Sequence, residues 1–295
     1  MASPGRGRVS STDLDRDTLF SLKEPVLSEA ADIVAAINDG YGPRDQKPRR
    51  YIGASGIGNK CEAALAFALR GFPDDSPDPQ LQRIFNLGNV VEDIVVRDLT
   101  KRAKLDVMEN DPLTGKQWHY DYMNGHIRCN LDGLIELPSG RLRNLEIKSM
   151  NDASWTKFMD RGVRFSHPHY FDQMQMQMAM SRTADTLFIA YNKNNSKYHA
   201  EIVEFDEIEW AFLKTRIESA LLNTARRIAG DESDWRCRGC FKRTSCWGSP
   251  VLERECYHCQ HASAEPDGGW HCHLHNMPAT ATCGSFERYR PLAKE

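Results

Sequence analysis

Apolar and polar residues follow two periods along the chain, and their order predicts its helices and strands. Leu81 to about Lys104 carries apolar residues three or four positions apart, which predicts a long helix. Alternating segments follow it, and a hairpin around Asn194-Asn195 comes later. The predicted helices span 27–37, 60–70, 81–104, 153–161, 169–182 and 206–229, and the predicted strands span 105–109, 117–123, 126–137, 142–149, 185–192 and 198–205.

The order of these elements predicts a mixed α/β layer. Helices precede a meander of strands, and more helices and strands follow, which differs from a regular βαβ repeat. Residues 1–16 are rich in Ser, Gly, Arg and Asp, and this composition predicts a disordered tail. Residues 17–50 form a predicted N-terminal helical segment, and a cysteine-rich region begins after Gly230.

Composition narrows the class of protein. The chain has 295 residues, 38 of them basic and 41 acidic, and 40% are hydrophobic. This length suits one large domain with an appended small module. No stretch approaches the roughly 18 continuous apolar residues of a membrane span, and the start lacks the apolar core of a secretory signal. We expect a cytoplasmic protein without membrane contact. The near-neutral charge does not exclude nucleic acid, because a basic patch can be local.

Two predicted strands bring acidic and basic side chains together. Asp132 lies in one, and Glu146 and Lys148 lie in the next, after a turn at 138–140. Because side chains alternate along a strand, Glu146 and Lys148 share one face, and the turn can place Asp132 beside them. Such charges are costly to bury unless a divalent cation binds. Oxygen ligands favour Mg²⁺ or Mn²⁺.

Two predicted helices add polar residues to this set. Glu92 follows Gly88 by one helical turn, so the small residue would let its helix approach the sheet closely. His169, Gln173 and Gln177 are spaced by four and form one polar stripe on a later helix.

With these residues the sequence resembles the PD-(D/E)XK nuclease superfamily, particularly its RecB-like exonuclease branch. Asp132 matches the aspartate of that pattern, and Glu146 and Lys148 match its E-x-K. Glu92 matches the acidic residue of the preceding helix. Gln173 matches the glutamine of the Q-x-x-x-Y motif, whereas Gln177 stands in place of its tyrosine.

The resemblance implies a restriction-endonuclease-like core over residues 51–247, with a mixed sheet flanked by helices. It also implies one or two Mg²⁺ (or Mn²⁺) ions that activate water for phosphodiester hydrolysis. Lys148 would orient this water or stabilise the developing negative charge, and Gln173 would position the substrate or its own helix. The implied metal ligands are Glu92, Asp132, Glu146 and the carbonyl oxygen of Ile147.

The nine cysteines predict metal binding. Their odd number, without a signal peptide, argues against a disulfide framework. Cys129 is predicted to pack in the core. Cys237, Cys240 and Cys246 supply three thiolates, one fewer than a four-thiolate site needs. With Cys61 they resemble the cysteines that hold a 4Fe–4S cluster in AddB-type and CRISPR-associated nucleases, where the cluster would join the two ends of the nuclease domain.

A second set of four cysteines predicts a structural Zn²⁺ site in a module over residues 248–295. This set comprises Cys256, Cys259, Cys272 and Cys283. Several nearby histidines could replace a cysteine as ligand: His258, His261, His271, His273 and His275. A rival pairing remains, because Cys237/Cys240 with Cys256/Cys259 has the spacing of a zinc ribbon.

Basic residues and a Gly/Ser turn at 53–58 predict contact with DNA phosphates. Arg44 and Lys47 precede the residues we expect to bind DNA, which are Arg49, Arg50, Ser55 and Lys60. No base-reading motif is visible, so binding should be independent of sequence.

The function predicted from these features is a Mg²⁺-dependent DNA exonuclease that acts on DNA ends in recombination, repair or phage DNA processing. It would work in the cytoplasm of a bacterial cell or phage-infected host, with a recombination partner protein. Two alternatives remain: a non-catalytic, zinc-containing DNA-binding adaptor and a restriction-type endonuclease.

Overall fold

A computed structural model describes residues 23–42 and 47–294, with side chains from residue 29 onward. The predicted disordered tail over 1–16 and Arg44 of the basic cluster lie outside the described residues. The helices are α1 (Lys23–Asp39), α2 (Ala54–Ile57), α3 (Glu62–Leu69), α4 (Pro79–Arg97), α5 (Asp152–Ser166), α6 (Pro168–Ser181), α7 (Glu207–Leu221) and α8 (Arg243–Trp247). The strands are β1 (Ile52–Gly53), β2 (Asp106–Met108), β3 (His119–Tyr122), β4 (Ile127–Asn130), β5 (Gly133–Glu136), β6 (Leu142–Met150), β7 (Asp185–Asn192), β8 (Tyr198–Glu204), β9 (Ala262–Ala264), β10 (Trp270–Cys272) and β11 (Met277–Pro278).

A five-stranded mixed sheet forms the centre of the molecule, with strand order β2-β5-β6-β7-β8. β6 and β7 are parallel, and the other neighbouring pairs are antiparallel. The parallel pair needs a long crossover, which α5 and α6 supply. The predicted mixed α/β architecture is therefore confirmed.

Apolar clusters cover both faces of this sheet. On one face Val91 and Val95 of α4 pack with Leu145 and Ile147 of β6. On the other, Phe158 of α5, Met174 of α6 and Phe188 of β7 form a separate cluster. Because residues alternate along β6, packing of Leu145 and Ile147 against α4 turns Glu146 and Lys148 toward the other side.

The single strand predicted over 126–137 is wrong, because two strands of different sheets occupy that range. β4 belongs to a three-stranded sheet of order β1-β4-β3, and β5 belongs to the central sheet. Leu131 and Asp132 form the break between them. A Cβ atom at Gly133 would lie 3.2 Å from the carbonyl oxygen of Met108, so glycine lets β2 approach closely there. Asp132 consequently lies in the break and not within a strand.

The last predicted helix, 206–229, is also too long. α7 ends at Leu221, and Asn223 then adopts a left-handed backbone with φ 61°. The Asn223 side-chain amide donates to the carbonyl oxygens of Gln260 and Ala262, at 3.3 and 2.8 Å. Contacts with the C-terminal segment, distant in sequence, therefore accompany the end of this helix.

The cysteine-rich C-terminal segment packs directly on the helices before the central sheet. Tyr289 is buried with Phe67 and Phe72 in the largest apolar cluster. The fully buried guanidinium of Arg70 donates to the carbonyl oxygens of Tyr257, Cys259 and Ala262. In the part of the chain that the structure describes, no helix combines the length and apolar character needed to cross a membrane.

Candidate active site

A buried carboxylate and a lysine meet on β6. Glu146 is fully buried, and the Nζ atom of Lys148 donates to its Oε1 atom. The Lys148 side chain remains 21% exposed, so one end of this ion pair reaches the surface. The alternation of side chains along a strand thus brings Glu146 and Lys148 together, as the sequence predicts.

Two glutamines of α6 hold the same carboxylate. Nε2 of Gln173 donates to Oε1 of Glu146 at 2.7 Å, and Nε2 of Gln177 donates to Oε2 at 2.7 Å. Gln177 also donates to the carbonyl oxygen of Asn130 at 3.2 Å. Gln177 occupies the position of the motif's tyrosine, so by sequence alone it is a departure from the motif. Its helical spacing from Gln173 is the signal that places both side chains on one face.

Asp132 lies beside this group, in the break between β4 and β5. Its Oδ2 atom accepts a hydrogen bond of 2.7 Å from the backbone N–H of Ile147. Burial and the negative charge of Glu146 raise the pKa of Asp132 well above its usual value, although Lys148 and the Ile147 N–H oppose the shift. The carboxyl group is therefore held in place but is costly to ionise.

Glu92 of α4 completes the acidic set. Its side chain is half-buried, and burial raises its pKa. The positive charge of Lys148 opposes this rise, and the charge of Glu146 adds a smaller one. The charged residues of β6 therefore affect the pKa of Glu92, which lies on the neighbouring helix.

Lys148 is the positive charge of this group. Burial alone would lower its pKa, but the carboxylates of Glu146 and Asp132 raise it above the usual value, so the amine is charged at neutral pH. The ammonium also lies 5.3 Å from the ring centroid of Tyr170. Sequence reasoning missed Tyr170, whose position three residues before Gln173 on α6 was the available signal.

The acidic set fits a divalent cation in charge and in donor type. Asp132, Glu146 and Glu92 offer carboxylate oxygens, and mutual repulsion contributes to the raised pKa values of Asp132 and Glu92. Among the side chains described, those of residues 29–42 and 47–294, no three His, Cys, Asp or Glu residues are placed so that they could hold one metal ion. In the structure, Lys148 serves as the counter-ion of Glu146.

A groove of about 850 Å³ leads to these residues. Arg49 and Ser55 line it together with Lys148, Tyr170 and Gln173. Arg50 and Lys60, also predicted to bind DNA, line two other cavities. The structure therefore brings Arg49 and Ser55, but not Arg50 and Lys60, into the groove lined by Lys148 and Gln173, two partners of Glu146.

The first predicted cysteine set lines a single cavity. Cys61, at the start of α3, shares a cavity of about 280 Å³ with Cys237, Cys240 and Cys246. Burial raises the pKa of the Cys246 thiol to about 11, and the charge of Cys61 contributes to the shift. The 3D structure thus brings together cysteines from the two ends of the predicted nuclease domain.

The second set lines another cavity, of about 120 Å³. It comprises Cys256, Cys259, Cys272 and Cys283, with His275 beside them. Sγ of Cys283 lies 3.4 Å from Nε2 of His275. Eight of the cysteines thus divide between two cavities, and Cys237/Cys240 line one while Cys256/Cys259 line the other. Cys129 is 2% exposed, and burial raises its pKa to about 12, in keeping with a core residue.

Residues 49–184 match the family model of the YqaJ-like viral recombinase domain. No curated protein matches the chain. Similar solved structures include an alkaline exonuclease, LHK-Exo from Laribacter hongkongensis, at 21% identity over 59% of this chain and 88% of that one, with a TM-score of 0.43. The same exonuclease in complex with dAMP gives 20% identity, coverages of 58% and 86%, and a TM-score of 0.43. A phage related exonuclease from Haemophilus somnus 129PT gives 15% identity, coverages of 58% and 91%, and a TM-score of 0.37.

Proposed function

We propose that the chain is a Mg²⁺-dependent DNA exonuclease with a PD-(D/E)XK active site in a restriction-endonuclease-like core, and that it acts on DNA ends during recombination. The environment of Glu146 carries the proposal. Lys148, Gln173 and Gln177 all donate to this one buried carboxylate, beside Asp132. A structural ion pair would not need three donors next to two further acids whose pKa values are raised. The match to a viral recombinase domain supports the same function.

The residues in and beside the groove would divide the chemistry between them. Glu92, Asp132 and Glu146 would hold Mg²⁺, with the Ile147 carbonyl oxygen as a further ligand. Bound Mg²⁺ would supply an activated water and charge stabilisation at the scissile phosphate. Gln173 and Gln177 fix the direction of the Glu146 carboxylate. The charged Lys148 amine orients the attacking water or stabilises the developing negative charge, and Arg49 and Ser55 contact the phosphates of the bound strand.

Cleavage of end-labelled linear DNA and covalently closed circles tests this proposal. The wild type should degrade linear DNA only when Mg²⁺ is present, and Lys148→Ala should abolish degradation. Lys197→Ala, which removes an exposed lysine in the hairpin between β7 and β8, is the matched control and should cut normally.

The same assay separates the alternatives. Rapid cutting of closed circles would indicate a restriction-type endonuclease. DNA binding without Mg²⁺-dependent cleavage would indicate a non-catalytic adaptor, and either result would overturn the exonuclease proposal.

We also propose that the first cysteine set holds a 4Fe–4S cluster, in an AddB-type arrangement, and the second holds Zn²⁺. The grouping of each set around its own cavity supports this division. Thiolate ligands suit both metals. A cluster at Cys61 and Cys246 would join α3 to the segment after α7, and zinc would stabilise a module within residues 248–294.

Metal analysis of anaerobically purified protein tests these two sites. Iron and visible absorption should disappear in Cys237→Ser while zinc remains, and Cys256→Ser should have the opposite effect. Cys129→Ala is the control and should keep both metals. Loss of zinc alone from both serine variants would favour the zinc-ribbon pairing.

Two further predictions from the sequence concern the setting of the reaction. We propose a recombination partner protein and a cytoplasmic location in a bacterial cell or phage-infected host. Both rest on the proposed exonuclease function.

A further inference from the structure

A second polar cavity, of about 330 Å³, lies where the cysteine-rich segment meets the small sheet. We call it the seam cavity. Its walls come from the chain just before β1, from the turn between β3 and β4 together with β4, and from the C-terminal segment. The lining residues are Arg50, Tyr51, Asn124, Gly125, His126, Arg128, Tyr257, Gly268 and Trp270.

Two arginines face this cavity, and each lies over an aromatic ring. The Arg50 guanidinium carbon is 4.9 Å from the ring centroid of Tyr257, and that of Arg128 is 5.0 Å from the ring centroid of Tyr51. A ring covers only the flat face of a guanidinium and leaves its edge N–H groups free to donate. The pairs therefore orient the arginines without satisfying all of their donors.

Two glycines make room for these arginines. A Cβ atom at Gly125, where φ is +96°, would lie 2.7 Å from an Arg128 guanidinium nitrogen. A Cβ atom at Gly71, where φ is +67°, would lie 2.5 Å from Cγ of Arg50. Any other residue at either position would displace the arginine and strain the backbone. Glycine at these two positions thus permits the places that the two arginine side chains occupy.

The wall from the C-terminal segment is fixed by hydrogen bonds to the turn before β4. The Asn124 side-chain amide donates to the carbonyl oxygen of Asp267 at 2.7 Å, and Nε2 of His126 lies 3.0 Å from the carbonyl oxygen of Gly269. The His126 ring also packs edge-on against Trp270, with centroids 5.4 Å apart. The cavity consequently exists only while the segment is docked.

The charge of the cavity is positive. Arg128 pairs with Asp121 at 3.1 Å, and this carboxylate is shared with His119. Among the residues that the structure describes, Arg50 has no ion-pair partner. Its side chain forms a hydrogen bond with Tyr257, and this bond and the Arg50 charge oppose the rise in the Tyr257 pKa that burial and the nearby Glu255 cause. One arginine is therefore available to an anion, and the other is only partly neutralised.

The seam cavity adjoins the groove lined by Lys148, Tyr170 and Gln173. Tyr51 lines both, and the consecutive residues Arg49 and Arg50 line the groove and the seam cavity respectively. A polyanion lying in the groove could therefore place one of its phosphates at Arg50 and Arg128. Paired arginines are well suited to phosphate oxygens because of their fixed fork of donors.

We propose that the seam cavity binds a phosphate of the DNA strand outside the active site, so that the cysteine-rich segment forms part of the DNA-binding surface. The identification of the polyanion as DNA rests on the proposed nuclease function. Phosphodiesters within the strand and a terminal phosphate monoester offer the same chemistry to the two arginines.

Fluorescence anisotropy with a labelled duplex, in Ca²⁺ to prevent cleavage, tests the proposal. We expect Arg50→Gln and Arg128→Gln each to raise Kd roughly 3- to 10-fold. The slope of log Kd against log salt should fall by about 1 for each phosphate that the variant no longer neutralises. Arg141→Gln is the matched control, because Arg141 is also half-exposed and paired with an aspartate, Asp185, and should bind as the wild type does.

Two duplexes, with and without a 5′ phosphate, identify the source of the phosphate. Equal weakening on both duplexes indicates an internal phosphodiester, and weakening only on the phosphorylated duplex indicates a terminal monoester. Unchanged Kd values and salt slopes for both arginine variants would overturn the proposal. Arg50 is exposed, so Arg50→Gln should keep the wild-type melting temperature and report binding alone.

Cleavage by the wild type is measured separately, so the two proposals fail independently. If the wild type never cuts DNA but the arginine variants bind DNA more weakly, the seam-cavity proposal holds and the nuclease proposal fails. If the wild type cuts DNA and the arginine variants bind DNA normally, the nuclease proposal holds and the seam-cavity proposal fails.

Discussion

The side-chain amide of Gln177 donates a hydrogen bond of 2.7 Å to Oε2 of Glu146, inside the protein. Gln177 is 1% exposed and Glu146 is fully buried, so water cannot replace this bond. Residues that orient a metal-binding carboxylate commonly matter almost as much as the ligand itself. Gln177 therefore belongs to the candidate active site as a positioning residue, although its identity departs from the motif's tyrosine.

Gln177→Leu should lower the cleavage rate roughly 10- to 100-fold, because Glu146 loses one of its orienting donors. It should also lower the free energy of unfolding by about 1–3 kcal/mol, since a buried carboxylate oxygen loses its partner. Gln175→Leu is the matched control. Gln175 is equally buried on α6 but bonds to Glu204 and Asp206, away from the groove. Its variant should lose stability and keep its cleavage rate.

Asp132→Asn should abolish cleavage and raise the melting temperature at neutral pH without Mg²⁺. The folded-state pKa of Asp132 is raised, so the folded protein binds this proton more tightly than the unfolded chain does. Stability is therefore lost as pH rises from the unfolded pKa through the folded one. The asparagine removes this loss and can still accept from the Ile147 N–H.

Thermal melts of Asp132→Asn and the wild type between pH 3 and pH 8 check this sign. The difference should be small at low pH and grow as pH rises. Mg²⁺ should stabilise the wild type more than the variant, because it binds the native carboxylates. A variant that is less stable than the wild type at neutral pH without Mg²⁺ would contradict the prediction.

Gly58→Ala should destabilise the protein by about 1–3 kcal/mol and slow cleavage. A Cβ atom at Gly58 would lie 2.6 Å from the backbone of His169, so α6 must shift, and with it the glutamines that hold Glu146. Gly56→Ala in the same turn meets nothing within 4 Å and should have little effect on the free energy of unfolding. Chemical denaturation and steady-state cleavage would check both variants. Equal losses of stability in the two variants would show that this close approach is unimportant.

Arg70→Leu should lower the free energy of unfolding by about 3 kcal/mol or more, because three buried carbonyl oxygens lose their donor. Burial already lowers the pKa of Arg70 to about 10, yet the residue still bridges α3 to the cysteine-rich segment. Limited proteolysis should release this segment faster from the variant. Arg254→Leu, at an exposed position of the segment, should change stability by about 0.5 kcal/mol or less. An undiminished resistance of Arg70→Leu to protease would contradict the prediction.

Short-range periodicity was enough to predict the mixed α/β class and the shared face of Glu146 and Lys148. Both follow from the repeat of side-chain direction along a strand or helix, which is a local property of the backbone. The same reasoning joined β4 and β5 into one strand, because the bend at Asp132 depends on pairing with two different sheets.

The grouping of distant residues was decided by tertiary packing. Nothing local marks Arg70 as a buried bridge, and its partners at 257–262 become neighbours only when the C-terminal segment folds back. The seam cavity likewise requires Arg50 and Trp270 to meet across the folded chain. The sequence by itself determined which residue types carry the chemistry and which face of each element they occupy. The tertiary structure decided which of them meet, because contacts between residues far apart in sequence depend on how whole elements pack.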